Sequence, residues 1–285
     1  MNAGDAEAFP APAKLNLMLR VTGRRPDGYH LLQTVIRFID RGDLLTFRVR
    51  GDGVIARTRE VRGVAAEDDL TLRAARALKA ATGTPLGADI TLEKRLPVGG
   101  GLGGGSSDAA TTLVALNRLW EAGLKRGQLQ ALALELGADV PVFVFGRNAL
   151  AEGIGERLTP LEVPDDWYLV LEPPVAVPTA RIFADKQLKR DSKPIKITAF
   201  SMGQAGNDLE PVVCREYPVV AQHLAWLKAQ LKGSAPAWVT GAGACVYAAF
   251  PTESAARRVW EQAPEGMRGF VARGLARHPL HDLTP

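Results

Sequence analysis

The chain has 285 residues, of which 46% are hydrophobic and 23% charged; this is an ordinary soluble globular composition, and the length favours two domains sharing a cleft. No stretch approaches the ~18 continuous apolar residues of a membrane helix, the N-terminus does not resemble a signal peptide, and Cys214 and Cys245 form no metal or disulfide pattern, so we expect a cytoplasmic protein with no membrane partner. The net charge of +4 comes from 35 basic and 31 acidic residues scattered along the chain, which favours a mixed surface over a nucleic-acid-binding patch.

The N-terminal part of the chain is predicted to form strands after a loose tail at residues 1–10. In residues 14–22 apolar and polar side chains alternate, which is typical of a strand. A Pro-Asp-Gly turn at residues 26–28 precedes two further strands, which we predict at residues 31–39 and 43–49.

Helices alternate with a short strand in the next part. The apolar spacing from Leu70 to Ala81 predicts an amphipathic helix that begins after the carboxylates of residues 67–69 and ends at Gly83. Alternation around Ile90 predicts a strand. Beyond a glycine-rich segment, the apolar spacing predicts helices at residues 108–120 and 128–136.

The second half begins after the best linker candidate, residues 160–166 (PLEVPDD), so we predict one domain over residues 1–160 and another over residues 161–285. Strands are predicted at residues 167–171, 237–239, 245–250 and 270–272, and helices at residues 219–232 and 254–262. Because helices and strands mix without regular alternation, the predicted fold class is α+β rather than a doubly wound sheet.

The strongest motif is the segment PVGGGLGGGSS, in which six of the seven positions from 99 to 105 are glycine. Glycines are costly to order, so such a loop must need backbone freedom or close approach, and a flexible linker seldom leads straight into a helix. Free N–H groups in the loop and at the helix start can form a cradle for a polyphosphate such as that of a nucleotide. The residues predicted to form this cradle are Pro97, Val98, Gly99, Gly100, Gly101, Leu102, Gly103, Gly104, Gly105, Ser106 and Ser107.

Three other phosphate motifs fit less well. A Walker A loop has a lysine after its last glycine, whereas Ser106 and Ser107 follow here. The later segments that accompany a protein-kinase loop are missing. The glycines at 99, 101 and 104 match the dinucleotide fingerprint, but the region that should supply its acidic residue is predicted helix.

The segment PVGGGLGGGSSDAA resembles the central motif of the galactokinase, homoserine kinase, mevalonate kinase and phosphomevalonate kinase (GHMP) superfamily. Residues 13–17 (AKLNL) resemble its N-terminal motif and residues 240–245 (TGAGAC) its C-terminal motif. The resemblance runs over nearly the whole chain. It implies a small-molecule kinase that uses ATP with Mg²⁺, and a two-domain fold: a ribosomal-protein-like N-terminal α/β domain, a ferredoxin-like C-terminal domain, and a cleft between them.

Two further segments, PAKLNLMLRVTGRRPDGYH and LGADVPVFVFG, resemble one branch of that superfamily. That branch phosphorylates the 2-hydroxyl of a cytidine diphosphate-linked methylerythritol in non-mevalonate isoprenoid biosynthesis. The resemblance implies small-molecule substrates and no nucleic acid partner, and we expect a monomer or homodimer.

Lys14 and Asp139 are the candidate catalytic residues. Asp139 lies at an element boundary between Gly137 and Pro141, where its side chain could face a cleft or cap a helix. Lys14 lies in an otherwise apolar strand and by itself would be read as an outward-facing lysine. The resemblance implies that Asp139 takes the proton of the acceptor hydroxyl. It also implies that Lys14 lies beside Asp139, keeps it ionised and stabilises charge on the transferred group.

Candidate substrate-binding residues come from both halves of the chain: Asn16, Tyr29, His30, Phe183, Thr240 and Gly241. The Tyr29-His30 pair follows a turn and could project into a cleft or pack locally. The resemblance implies that this pair and Phe183 hold cytosine by stacking and hydrogen bonds. Thr240 and Gly241 lie in a turn that could approach the phosphates or the methylerythritol, or could be a plain hairpin.

Two points depart from the family pattern or stay open. Asp69 stands where the family often carries Asn, which puts the contacts to adenine in question. The sequence offers no obvious Mg²⁺ carboxylate beyond Asp139, so the ion is expected mainly on ATP oxygens, water and a serine hydroxyl such as that of Ser107. Two alternatives remain: another GHMP kinase acting on homoserine, mevalonate or a sugar, and a non-catalytic nucleic-acid-binding protein.

Overall fold

The computed structural model describes residues 7–60, 64–65 and 67–284. The first six residues of the predicted loose tail lie outside this range. The prediction is wrong for residues 8–10, because the first strand already begins at Ala8. None of the helices in the described ranges is both long and apolar enough to cross a membrane.

The first half is organised around two long antiparallel strands, β1 (Ala8–Arg24) and β2 (His30–Arg50). We predicted two strands where β2 is continuous. The polar residues Asp40 and Arg41 bulge out of the ladder, because Pro12 pairs with Gly42 and the next residue of β1 already pairs with Ile39. A Cβ at Gly42 would lie 2.3 Å from the carbonyl oxygen of Ala11, so only glycine lets the strands approach there.

The remaining strands and helices of the first half complete one layered unit. The strands are β3 (Ile55–Arg57), β4 (Gly87–Glu93), β5 (Ala149–Gly153) and β6 (Arg157–Pro160), with β4 and β5 both antiparallel to β2. The helices are α1 (Leu70–Thr82), α2 (Gly104–Leu119), α3 (Arg126–Leu136) and α4 (Val140–Phe145). Their apolar faces form a core with the sheet, in which Leu113, Leu116 and Trp120 of the predicted face are buried.

Local signals explain where α1 and α2 begin. The carboxylate of Asp69 accepts hydrogen bonds from the backbone N–H groups of Thr71 and Leu72, and Gly83 ends α1 with a φ of 67°. Helix α2 begins four residues earlier than predicted, at Gly104, so the last glycines of the loop form its first turn.

The second half has the strand order of a ferredoxin-like domain. Its strands are β7 (Trp167–Leu171), β9 (Ala237–Val239), β10 (Val246–Phe250) and β11 (Gly269–Leu275), and they pair antiparallel in the order β11-β7-β10-β9. Helices α5 (Thr179–Ala184), α6 (Glu210–Glu216) and α7 (Pro218–Leu231) lie between the first two of these strands, and α8 (Glu253–Trp260) between the last two. The α+β prediction is confirmed, while α5 and α6 were missed because both are under eight residues long.

The two halves are joined by strand pairing and by a shared core. The end of β11 pairs with β2, and the two-residue strand β8 (Gly206–Asn207) pairs with β1. Leu15 and Leu17 of β1 are buried together with Val170 and Tyr247 of the second half. Residues 161–166 form neither helix nor strand between β6 and β7; a domain boundary there stays a prediction.

Candidate active site

A cavity of about 850 Å³ lies between the two halves. Its wall includes Lys14, the glycine loop and Asp139 from the first half, and Phe183 and Gly241 from the second half. It therefore collects residues that lie far apart in the sequence.

Backbone hydrogen bonds connect the glycine loop to the segment around Lys14 and to the turn at residues 240–245. The N–H of Lys14 donates to the carbonyl of Leu102 at 2.9 Å. The N–H groups of Ala244 and Cys245 donate to the carbonyls of Gly99 and Gly100 at 3.2 and 3.0 Å. Loop carbonyls thus bind the two flanking motifs and leave the loop N–H groups for another partner.

The N–H groups of the loop are available to bind an anion. Within the described ranges, no backbone or side-chain hydrogen bond uses an N–H of residues 99–106 as its donor. The positive end of the α2 dipole lies at the same place, because the helix begins at Gly104. This combination of free N–H groups and a helix start is a phosphate-binding arrangement.

Glycine is required at two loop positions for steric reasons. Gly101 has a φ of 77°, and a Cβ there would lie 2.3 Å from the carbonyl oxygen of Thr240. Gly103 has a φ of 70°, and its Cβ would lie 3.1 Å from Cε of Lys14. A side chain at either position would push the loop off its neighbours.

Lys14 and Asp139 meet at the cavity. The Nζ of Lys14 lies 3.5 Å from Oδ2 of Asp139; the lysine side chain is 4% exposed and the aspartate side chain 49% exposed. Asp139 occupies the N-cap position of α4, but its side chain makes no capping hydrogen bond. The carboxylate is therefore open to the cavity, with a buried cation beside it.

Asn16 holds Lys14 in place. Its Oδ1 accepts a hydrogen bond from Lys14 Nζ at 2.5 Å, and its Nδ2 donates to Thr34 Oγ1 at 2.9 Å. The backbone N–H of Asn16 donates to Thr240 Oγ1 at 3.0 Å. Asn16 and Gly241 line the cavity, whereas Thr240 is fully buried behind its wall. The geometry gives Thr240 a supporting contact, and its role toward substrate stays a prediction.

Tyr29, His30 and Phe183 lie together at another part of the same cavity. The rings of His30 and Phe183 have centroids 4.9 Å apart and are tilted by 33°. Tyr29 is 58% exposed on the turn before β2, where Asp27 Oδ1 accepts its backbone N–H. The exposed Tyr29 ring is free to pack on a ligand.

The two serines of the loop differ in position. Ser106 lines the cavity, whereas Ser107 is fully buried and its hydroxyl has no hydrogen-bond partner within the described residues. No group of three or more His, Cys, Asp or Glu side chains arranged for a metal ion occurs in the described part of the chain. Oxygen donors that line the cavity next to the loop include Ser106, Asp108 and Asp139.

A largely buried cluster of charged side chains next to the glycine loop was not predicted from the sequence. Lys94 Nζ donates to Asp43 Oδ2 at 2.6 Å and to Asp108 Oδ2 at 2.7 Å, and both Lys94 and Asp108 line the cavity. Burial and the neighbouring Asp43 raise the pKa of Asp108, while Lys94 opposes this rise. A lysine three residues before the loop was the available signal, since a cation close to a phosphate-binding loop is favourable there.

Asp69 is occupied by protein contacts. Its Oδ1 accepts hydrogen bonds from the Thr71 backbone and hydroxyl at 2.8 and 2.6 Å, and its Oδ2 accepts one from Arg57 at 2.9 Å. The expectation that an aspartate can cap the helix here is met.

The buried thiol is inert in this geometry. Burial raises the pKa of Cys245 well above that of an ordinary thiol, so it stays protonated. Cys245 serves as packing behind Gly100, whose Cβ would lie 3.0 Å from its sulfur.

Comparison with known proteins identifies relatives over nearly the whole chain. Residues 69–147 match the N-terminal domain of the GHMP kinases, and residues 186–269 match their C-terminal domain. The 4-diphosphocytidyl-2-C-methyl-D-erythritol kinase of Nitrosospira multiformis is 62% identical over 96% of this chain and 93% of that protein. The enzyme of the same name from Thiobacillus denitrificans is 58% identical over 98% of this chain and 99% of that protein.

A solved structure agrees with these relatives. The crystal structure of a 4-(cytidine 5′-diphospho)-2C-methyl-D-erythritol kinase superposes with a TM-score of 0.81 at 33% identity, over 94% of this chain and 99% of that one. The chain is therefore a small-molecule kinase of the GHMP kinase family and belongs, within that family, with the 4-diphosphocytidyl-2-C-methyl-D-erythritol kinases.

Proposed function

We propose that this kinase transfers the γ-phosphoryl group of ATP to the 2-hydroxyl of 4-diphosphocytidyl-2-C-methyl-D-erythritol, giving the 2-phosphate and ADP in non-mevalonate isoprenoid biosynthesis. The observation that carries the proposal is the position of the Lys14–Asp139 pair. The pair lines the same cavity as the glycine loop, whose backbone N–H groups are free to bind phosphate, and the aromatic residues Tyr29, His30 and Phe183.

The loop is proposed to bind the triphosphate through its backbone. Its free N–H groups and the start of α2 offer several donors to the phosphate oxygens and need no lysine within the motif. Phosphoryl transfer requires mainly alignment and charge stabilisation, which a preformed cradle supplies without reorganisation.

Asp139 is proposed to accept the proton of the attacking hydroxyl. Its half-exposed carboxylate faces the cavity and makes no capping hydrogen bond. Lys14 places a buried positive charge 3.5 Å away, where it can stabilise both the carboxylate and the charge on the transferred group. A positioned base contributes about 10²- to 10⁴-fold in rate.

Mg²⁺ is proposed to accompany ATP. The half-exposed carboxylate of Asp139 and the hydroxyl of Ser106 are hard oxygen donors beside the loop, and they fit an ion held by one carboxylate and by phosphate oxygens. Ser106 replaces the expected Ser107, whose hydroxyl lies inside the protein. When bound, the ion neutralises charge on the β- and γ-phosphates.

Tyr29, His30 and Phe183 are proposed to hold the cytosine ring, because two aromatic side chains and an imidazole provide stacking surface and hydrogen-bonding groups at one place. We further propose a boundary between domains 1–160 and 161–285, a cytoplasmic location, and a monomer or homodimer without a nucleic acid partner.

The direct test is turnover by an Asp139→Ala variant with the cytidylated substrate, ATP and Mg²⁺. We expect turnover to fall by about 10²-fold or more while ATP binding stays close to wild type, because the loop and α2 are unchanged. Full activity of this variant would refute the assigned role. A panel including homoserine, mevalonate and galactose tests the acceptor; preference for one of these would refute the proposed substrate.

A further inference from the structure

Arg190 contacts both sides of the proposed base-binding region. Its Nε donates to His30 Nε2 at 3.0 Å, and its Nη2 donates to the carbonyls of Phe183 and Asp185 at 2.9 and 2.6 Å. Its Nη1 donates to the carbonyl of Leu188 at 3.0 Å. One guanidinium therefore links the imidazole at the start of β2 to the helix that carries Phe183.

The contacts to Phe183 and Asp185 fall at the C-terminal end of α5, where helix carbonyls lack partners within the helix. A cation at this end satisfies the carbonyls and is favourable for the helix dipole. The position of the Phe183 ring relative to His30, 4.9 Å between centroids, thus depends on the same side chain.

The contact to His30 defines which ring nitrogen carries the hydrogen. A guanidinium has only donors, so His30 Nε2 must accept, and the neutral ring then has its hydrogen on Nδ1. Burial and the positive charges of Arg190 and Arg24 lower the pKa of His30, so the ring stays neutral near pH 7. Nδ1 has no hydrogen-bond partner among the residues described, and His30 lines the cavity.

We propose that Arg190 is a positioning residue for base recognition: it holds His30 as the Nδ1–H tautomer and keeps Phe183 at stacking distance. This inference rests on the proposed function, because it assumes a cytosine ring beside His30. An Nδ1–H donor suits the N3 atom of cytosine, which is an acceptor, and opposes the N3–H of uracil, which is a donor. Arg190 thereby contributes to discrimination between the two pyrimidines without touching the base.

The first readout is the tautomer of His30, followed by long-range ¹H–¹⁵N NMR of the imidazole nitrogens. The chain has four histidines, so a His30→Gln variant assigns the signals. We expect an unprotonated Nε2 in the wild type and a substantial Nε2–H population in Arg190→Met. The matched control is Lys189→Met, which removes an exposed positive charge one residue away and is expected to leave the tautomer unchanged.

The second readout is kinetic. Arg190→Met is expected to raise KM for the cytidylated substrate about tenfold, the size of one lost hydrogen bond, while KM for ATP and kcat stay within about twofold. The preference for the cytidine substrate over its uridine analogue should fall by a similar factor. Arg190→Lys keeps the positive charge but has fewer N–H donors, so its KM and its substrate preference should lie between those of the wild type and of Arg190→Met. If Arg190→Met does not fold, Arg190→Lys takes its place in both measurements.

An unchanged His30 tautomer in the Arg190 variants, or an equal rise of KM in Lys189→Met, would overturn the proposal. If the wild-type protein does not phosphorylate the cytidylated substrate, the proposed function fails. The NMR measurement still decides whether Arg190 sets the tautomer, so the two failures are distinguishable.

Discussion

Gly103 is the residue at which the phosphate loop meets Lys14. A Cβ there would lie 3.0 Å from the Phe143 ring and 3.1 Å from two side-chain carbons of Lys14. The left-handed φ of 70° adds a conformational cost of about 1–2 kcal/mol for any L residue.

We therefore expect Gly103→Ala to lower kcat/KM by about tenfold or more, because loop and lysine must shift apart. Steady-state kinetics with both substrates checks this. Gly127→Ala is the control, since Gly127 lies in α3 with ordinary φ and no atom within 4 Å of its Cβ position. A Gly103→Ala variant as active as Gly127→Ala would contradict the steric interpretation.

Single residues were predictable from the sequence only where a local pattern carried them. The glycine loop was recognisable as a phosphate-binding segment because its composition demands backbone freedom just before a helix, whereas the pattern around Asp139 left open whether it caps a helix or faces a cleft. Catalytic roles for Asp139 and Lys14 came only from the family resemblance, and for Lys14 the alternating strand also left open which face is buried. The contacts of Lys94 with Asp108 and of Arg190 with His30 were not predicted, because each joins side chains that only folding brings together; for Lys94 the sequence offered no more than a cation close to the loop.

At the scale of elements, α1 shows how one polar residue can define a helix start. Asp69 caps the helix and pairs with Arg57 at 2.9 Å, and the Asp69 side chain is 4% exposed. Asp68 is exposed and its side chain has no hydrogen bond to another described residue.

Asp69→Ala is expected to lower the free energy of unfolding by about 2 kcal/mol or more, since it removes the cap and leaves Arg57 without its partner. Asp68→Ala should change it by less than about 0.5 kcal/mol. Urea unfolding followed by circular dichroism measures both, and equal losses would show that the cap does not define the helix.

Elements whose own sequence carries a clear pattern were predicted well, including the short strands β7 and β9. Helix α3 and strand β7 were predicted to within two residues. Helix α2 was predicted too short because glycine is a poor helix former, and its first turn is held by tertiary contacts of the loop. Strands β5 and β6 were missed because their pairing partners, not their own sequence, define them.

At the scale of the whole molecule, His278 ties the last part of the chain to the first half. Its ring packs edge-on against Phe38 at 5.8 Å, and its Nδ1 accepts the backbone N–H of Leu280 at 3.1 Å. Burial, with the nearby charges of His281 and Arg126, lowers the pKa of His278 to about 3.

Because the folded pKa of His278 lies below the unfolded value of about 6.5, the folded protein resists protonation. This contribution to stability is present above pH 6.5 and is lost as the pH falls toward 3, by up to about 1.4 kcal/mol per pH unit. Urea unfolding between pH 7 and 4.5 should therefore show a steeper loss for the wild type than for His278→Gln. Parallel curves would contradict the prediction.

The pairing of β11 with β2 also has a consequence for the order of events during synthesis. Ile39 is made early and pairs with Gly274, close to the other end of the chain. The N-terminal part leaves the ribosome first, so this portion of β2 emerges long before β11 is made. Until then the backbone N–H and C=O groups along one edge of β2 have no pairing strand. A prematurely terminated product would expose that edge to other nascent chains, so aggregation of such fragments is the specific hazard that this topology creates.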